Sequence, residues 1–206
     1  MIRVKRRIAF FGGTFDPVHS GHLAMAEAAA SSLNLHRVYF VPTSQNPLKG
    51  QPPLASASDR LEMLRLALAD HYRFDAWEGE LGRPGPSYTL HSAEHIERVY
   101  PNSHLFWIIG SDQLAQLPHW FGIERLVNKI GFILVTRPGY PLQWPGVPGL
   151  RLYPVANPEY DLSATAIRAR RQADMDISGL VPAGVETYIH RCGLYRKESS
   201  GEVRKG

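Results

Sequence analysis

Apolar residues along this chain come in two kinds of block, and the blocks take turns. Short aliphatic and aromatic runs predict strands over residues 8–11, 37–41, 73–77, 104–109, 130–136 and 150–155. Between them, segments of helical character predict helices over 21–33, 58–70, 88–99, 122–129, 163–173 and 182–191. Leu61, Leu64 and Leu68 recur at helical spacing in the second helix, and Leu23-Ala24-Met25-Ala26-Glu27-Ala28-Ala29-Ala30 gives the first its high helix propensity. Leu105-Phe106-Trp107-Ile108-Ile109 and Ile130-Gly131-Phe132-Ile133-Leu134-Val135 do not alternate with polar residues. Continuous apolar runs suit parallel strands covered on both faces. Strand–helix alternation then predicts an α/β protein. Its core is a doubly wound, mostly parallel sheet with right-handed crossovers and a small C-terminal helical part.

In that architecture ligands bind beyond the C-terminal strand ends. Gly12-Gly13, Pro42-Thr43 and Gly110-Ser111-Asp112 each follow a predicted strand, so three polar loops should converge on one crevice. Two further connections, 43–57 and 137–149, are long enough to serve as lids or mobile loops. Alternation continues across both, so residues 1–195 read as one domain and 196–206 as a polar, disordered tail.

Composition narrows the class. At 44% hydrophobic and 20% charged residues, the chain reads as a globular protein without a membrane-length apolar run. No signal-peptide pattern opens it, and Cys192 is the single cysteine, which excludes a disulfide framework or a cysteine metal cluster. The cytoplasm is the expected compartment. The net charge of +4 is misleading. Arg3, Lys5, Arg6, Arg7, Arg196, Lys197, Arg204 and Lys205 lie at the two ends, while residues 8–194 carry 15 basic and 17 acidic side chains. Nucleic acid is therefore not expected as a partner, and the basic ends read as solvated tails.

Chemistry concentrates in residues 8–22, Ile-Ala-Phe-Phe-Gly-Gly-Thr-Phe-Asp-Pro-Val-His-Ser-Gly-His. A strand, a glycine turn and a helix N-terminus form a phosphate-binding geometry, with backbone amides and the helix dipole directed at the anion. His19 and His22 share a face of the starting helix, and Gly21 lets another group approach closely. A second anion clamp is expected at Ser163, Thr165 and Arg168. Ser163 suits an N-cap, while Thr165 and Arg168 share a helix face. Trp120, near the Gly110 loop, offers an aromatic face, whereas Trp107 inside a strand reads as core. His91 and His95 have the spacing of a zinc-protease helix. Ser92 stands where that chemistry needs Glu, and no metal site is expected. The phosphate loop of NTPases, the dinucleotide glycine fingerprint and the hydrolase nucleophile elbow are all missing.

Gly13-Thr14-Phe15-Asp16-Pro17-Val18-His19-Ser20-Gly21-His22 resembles the (T/H)xGH signature of the nucleotidyltransferase superfamily, and Leu162-Ser163-Ala164-Thr165-Ala166-Ile167-Arg168 resembles its (I/L)SxTxIR signature. Pro86-Ser87-Tyr88-Thr89, Ile109-Gly110-Ser111-Asp112, Leu117-Pro118-His119-Trp120, Arg137-Pro138-Gly139-Tyr140 and Gly193-Leu194-Tyr195 extend the likeness over residues 8–195. The order is that of bacterial nicotinate-nucleotide adenylyltransferases. The resemblance implies a Rossmann-like nucleotidyltransferase fold and adenylyl transfer from ATP to nicotinate mononucleotide in NAD biosynthesis. It implies ATP contacts at Gly12, Gly13, Thr14, Phe15, His19, His22, Gly110, Asp112, Ser163, Thr165 and Arg168. Asp112 falls near the adenosine. Acceptor contacts fall at Thr89, Trp120 and Phe121, with Asn46, Lys49 and Arg137 added. The segment Pro42–Lys49 departs from the family, which commonly has Asn early and a Pro-Pro-His-(Lys/Arg) stretch; Lys49 stands in for the terminal cation.

Such a reaction needs positioning and charge neutralisation rather than an acid–base pair. His19, His22 and Arg168 are accordingly the expected catalytic residues, and Mg²⁺ is expected to arrive with ATP. The resemblance leaves open a neighbouring adenylyltransferase using nicotinamide mononucleotide or phosphopantetheine, and a non-catalytic nucleotide- or RNA-binding protein. Oligomeric state is not encoded in any motif.

Overall fold

The computed structural model describes residues 5–44, 52–81, 85–136, 143–156 and 162–197. Strands β1 (Arg6–Gly13), β2 (Arg37–Pro42), β3 (Phe74–Ala76), β4 (Ser103–Gly110), β5 (Gly131–Thr136) and β6 (Leu152–Ala156) form one sheet in the order β3-β2-β1-β4-β5-β6. Every neighbouring pair is parallel, so the sheet is wholly parallel rather than mostly so. The chain winds outward from β1 through β2 to β3, then returns to the other side of β1 with β4. That reversal opens a crevice at the carboxyl ends of β1 and β4.

Alternation within the strands explains why both faces are buried. Ala9 and Phe11 of β1, Ile108 of β4 and Ile133 and Val135 of β5 belong to one core. It is closed by α1 (Ser20–Ser32), α2 (Ala57–Leu68), α6 (Ala164–Gln172) and α7 (Ala183–Arg191). Ile8, Phe10, Trp107, Ile109, Phe132 and Leu134 face the other core, under α3 (Thr89–Val99) and α5 (Ile123–Lys129). Such strands have no solvent face to carry polar residues. In α1, Met25, Ala26, Ala29 and Ala30 are buried, and their small size lets the helix lie close to the sheet.

The expected helices and strands stand where the pattern put them, within two residues at most ends. Two differences matter. Gly110-Ser111-Asp112 is not a loop, because β4 runs straight into a one-turn helix, α4 (Ser111–Leu114), followed by a 3₁₀ turn at Leu117–His119. Elements of three or four residues carry too few positions to show a period. The N-terminal charges are also not all tail. Arg6 and Arg7 belong to β1 opposite Ser103 and His104, and the Arg7 guanidinium lies over the Phe106 ring at 5.5 Å. Ladder pairing with β4 draws them into the sheet.

Candidate active site

The crevice is floored by the last two residues of β1, which pair in the ladder with Val41 and Pro42 rather than forming a turn beyond the strand. An added Cβ on Gly12 would stand 2.6 Å from the Trp107 ring, and one on Gly13 would stand 2.8 Å from the Phe15 ring. Only glycine lets the backbone pass between these rings. Thr43, at the end of β2, donates its N–H to the Gly13 carbonyl at 2.9 Å, which brings two of the three expected segments together. Phe15 has a left-handed backbone with φ of 49°. Its ring is 2% exposed and meets His22 edge-on at 5.0 Å, so only its backbone faces the crevice.

His19 caps the start of α1, and His22 lies one turn in. Their rings stack with centroids 3.7 Å apart, and His22 Nδ1 accepts the His19 backbone N–H at 3.2 Å. A nitrogen that accepts carries no proton, so neutral His22 has its hydrogen on Nε2. That tautomer offers a donor for an anion and orients the ring without any proton transfer. Gly21 leaves room for the first ring, because a Cβ there would come 3.1 Å from His19 Nδ1, which would have to give by a few tenths of an ångström, and would only touch Leu162 Cβ at 3.5 Å. The helix start is less open than its sequence suggests. Ser20 gives its N–H to the Leu180 carbonyl at 3.0 Å and its hydroxyl to the Gly179 carbonyl at 3.2 Å. A segment from the C-terminal region therefore uses donors that sequence pattern assigns to phosphate.

Ser163 accepts the Ala166 N–H at 3.2 Å and caps α6, as its position predicts. Arg168 reaches across from this helix to donate to the Asp16 carbonyl at 2.7 Å and to Thr165 Oγ1 at 3.3 Å. The two signature segments, 152 residues apart, meet in this one hydrogen bond. Other N–H donors of the guanidinium are left over for an anion. Under the loop, Arg60 is 2% exposed, and its Nη1 donates to the Thr14 and Thr43 carbonyls, both at 2.8 Å. Burial lowers its pKa from the ordinary value, and the Asp16 charge opposes that shift.

Beside the end of β1 lies a small cleft open to solvent, lined by Gly12, Gly13, Thr43, Glu80, Ser87, Tyr88, Thr89, Trp107, Gln113, Trp120 and Phe121. Three expected acceptor residues, Thr89, Trp120 and Phe121, thus share one wall. Thr89 opens α3, which directs the positive end of that helix at the cleft. Trp120 is half-buried with its indole N–H unpartnered, and its ring meets Phe132 edge-on at 6.2 Å. Phe121 is exposed and packs on Tyr88 at 4.7 Å. Asp112 folds back so that its Oδ1 lies 2.6 Å from where a Gly110 Cβ would be, which places both at the mouth of the β4 end. Asn46, Lys49 and Arg137 lie outside the described residues, as do the rest of 45–51 and 137–142 in the two long connections and tail residues 198–206.

Sequence reasoning missed Arg60, Glu80 and Gln113, and marked Tyr195 only as the end of the Gly193-Leu194-Tyr195 match, without a role. Arg60 had a readable signal, since it occupies the stripe of Met63, Leu64 and Ala67 on α2, where a cation is out of place. Glu80 is 3% exposed and accepts the Ser92 hydroxyl. Nothing in its local sequence marks it. Gln113 accepts the Gly110 N–H at 3.1 Å and so depends on the helix that pattern did not show. Among the described residues, no three His, Cys, Asp or Glu side chains cluster to hold a metal ion. No helix of the described residues is long and apolar enough to cross a membrane.

A parallel sheet of this order, with a histidine pair after β1 and an arginine clamp on α6, defines a nucleotidyltransferase-type site. Residues 10–170 match the cytidylyltransferase-like family, and the chain belongs to that family. Within it, the chain belongs with the nicotinate-nucleotide adenylyltransferases. It is 42% identical over 190 residues to a probable nicotinate-nucleotide adenylyltransferase of Thermus thermophilus, covering 92% of this chain and 100% of the relative. It is 37% identical over 193 residues to the nicotinate-nucleotide adenylyltransferase of Bacillus subtilis, covering 92% and 98%. The fold matches a Plasmodium falciparum nicotinic acid mononucleotide adenylyltransferase complexed with NaAD, with a TM-score of 0.74 and 20% identity over 92% of this chain and 97% of that one.

Proposed function

We propose that this enzyme transfers the adenylyl group of ATP to nicotinate mononucleotide, giving nicotinate adenine dinucleotide and pyrophosphate in NAD biosynthesis. One observation carries the reading. Arg168 on α6 is held against the Asp16 carbonyl, so the histidine loop and the arginine helix form two walls of one anion site beside the Thr89–Trp120 cleft. The bacterial relatives bear the name of this activity.

The acceptor phosphate is already ionised near neutral pH. Its oxygen attacks the α-phosphorus of ATP in line. A new P–O bond forms, the bond to the α–β bridging oxygen breaks, and pyrophosphate leaves with that electron pair. No protein group has to take a proton. His22 Nε2–H and the His19 ring stabilise charge developing on the α-phosphate by hydrogen bonding. Ser163, Thr165 and Arg168 hold the leaving β- and γ-phosphates. ATP enters as its Mg²⁺ complex. The nicotinate ring is assigned to the Trp120 face and its carboxylate to Thr89 and the Trp120–Phe121 backbone. Carboxylate suits the α3 N-terminus better than a neutral amide. The cytoplasm is the compartment that fits such a step.

Pyrophosphate release with ATP plus nicotinate mononucleotide, nicotinamide mononucleotide or phosphopantetheine, run in parallel, tests the reading. Release is expected with nicotinate mononucleotide in preference to the other two. Release with phosphopantetheine alone overturns it.

A further inference from the structure

The histidine loop is anchored by a residue 179 positions further along the sequence. Asp16 is 4% exposed, and its carboxylate accepts the Leu54 N–H at 2.8 Å, the Ala55 N–H at 3.1 Å and the Tyr195 hydroxyl at 2.6 Å. Its carbonyl accepts Arg168. One residue therefore joins the loop to the segment before α2, to α6 and to the chain beyond α7. Phe15 next to it holds its left-handed backbone. That conformation is strained for a bulky residue and persists only where the surroundings over-determine it. His19 follows Asp16 by three residues. The bonds on Asp16 thus fix the position from which both histidines and Arg168 are aimed.

We propose that Tyr195 is a positioning residue for adenylyl transfer, acting through Asp16 to keep His19, His22 and Arg168 in one arrangement around the reacting phosphates. The inference rests on the adenylyl-transfer reading above. Tyr195 is 8% exposed and packs in the core beneath the loop, so it acts without touching substrate. Removing its hydroxyl leaves the buried carboxylate one donor short. Asp16 then shifts to find another, and the carbonyl under Arg168 moves with it. ATP binding is spread over many contacts and tolerates that shift. In-line transfer does not, because reaction rates fall steeply with small misplacement.

Tyr188 supplies the control. Its hydroxyl donates to Asp59 at 2.9 Å, linking α7 to α2 by the same kind of bond, with a partner outside the loop. The experiment compares wild type, Tyr195→Phe, Asp16→Asn and Tyr188→Phe in single-turnover adenylyl transfer. The affinity of each for a non-hydrolysable ATP analogue and the thermal midpoint are measured alongside. Tyr195→Phe and Asp16→Asn are expected to lower the single-turnover rate by roughly tenfold to a hundredfold. Their analogue affinity stays within about twofold. Tyr188→Phe is expected to lose a similar amount of thermal stability and keep the wild-type rate. A folded Tyr195→Phe with the wild-type rate overturns the proposal. So does a fall in rate shared equally by Tyr188→Phe, which would mark a general loss of stability. If wild type itself does not turn over with nicotinate mononucleotide, the functional reading fails instead.

Discussion

His22 Nδ1 accepts the backbone N–H of His19 at 3.2 Å, so the second histidine of the pair is oriented by the backbone of the first. Its Nε2 then carries the hydrogen, a donor with fixed direction, as charge stabilisation requires. Replacing His22 by Ala, or Arg168 by Ala, is expected to lower kcat/KM at least about 10²-fold, the scale of losing one transition-state contact. Steady-state pyrophosphate release from purified, folded variants checks this, and near-normal rates in either would refute the assignment.

Gly21→Ala separates stability from activity. Ala at this helical position gains up to about 1 kcal/mol of helix propensity. Its Cβ, however, lies 3.1 Å from His19 Nδ1 and has to displace that ring. The expected outcome is an unchanged or raised thermal midpoint with kcat/KM reduced by roughly tenfold, since a displaced donor no longer meets the charge it serves. Calorimetry and steady-state kinetics on one preparation decide it; loss of both properties together would mean the ring cannot give way.

Arg60→Leu removes a buried cation that ties the Thr14 and Thr43 carbonyls. Two buried acceptors lose their charged donor, and each such loss costs about 1–3 kcal/mol. Urea denaturation should show a fall of roughly 3 kcal/mol, together with weaker turnover because the two crevice loops part. A variant as stable as wild type would show that water replaces the guanidinium at no cost.

Three tyrosines make stability fall at alkaline pH. Burial, then the bond to Tyr39, raises Tyr100 to about 12. The bond to Asp59, then burial, raises Tyr188, and burial, then Asp16, raises Tyr195. Each folded pKa lies above the unfolded value near 10, so the contribution is complete below about pH 10 and is lost as pH rises through the folded values. Tyrosinate absorbance of the native protein should therefore lag that of the urea-unfolded chain. Superimposable titration curves would contradict this.

The strands and helices were legible because covering a parallel sheet on both faces leaves its mark on consecutive residues. Ile133 and Phe132 face different cores, yet both must be apolar, and so the run shows. The two anion-binding segments were legible for a different reason, since each is a local strand–turn–helix or capped helix with its chemistry in one short stretch. What joins them was not. The hydrogen bond from Arg168 to Asp16 spans 152 residues, and the one from Tyr195 spans 179. No periodicity encodes such a pairing. The internal use of the Ser20 donors by Gly179 and Leu180 escaped for the same reason. Arg60 is the intermediate case, visible as an anomaly on its helix but without a readable partner.

The bond between Asp16 and Tyr195 also sets an order of assembly. A ribosome releases the histidine loop well before Tyr195, which lies 179 residues beyond Asp16. While the residues between them are added, the loop is present but lacks the hydroxyl that completes its anchoring. On the positioning role proposed for Tyr195, a nascent chain arrested before it holds the sheet strands and both histidines but lacks the bond that sets them for fast transfer.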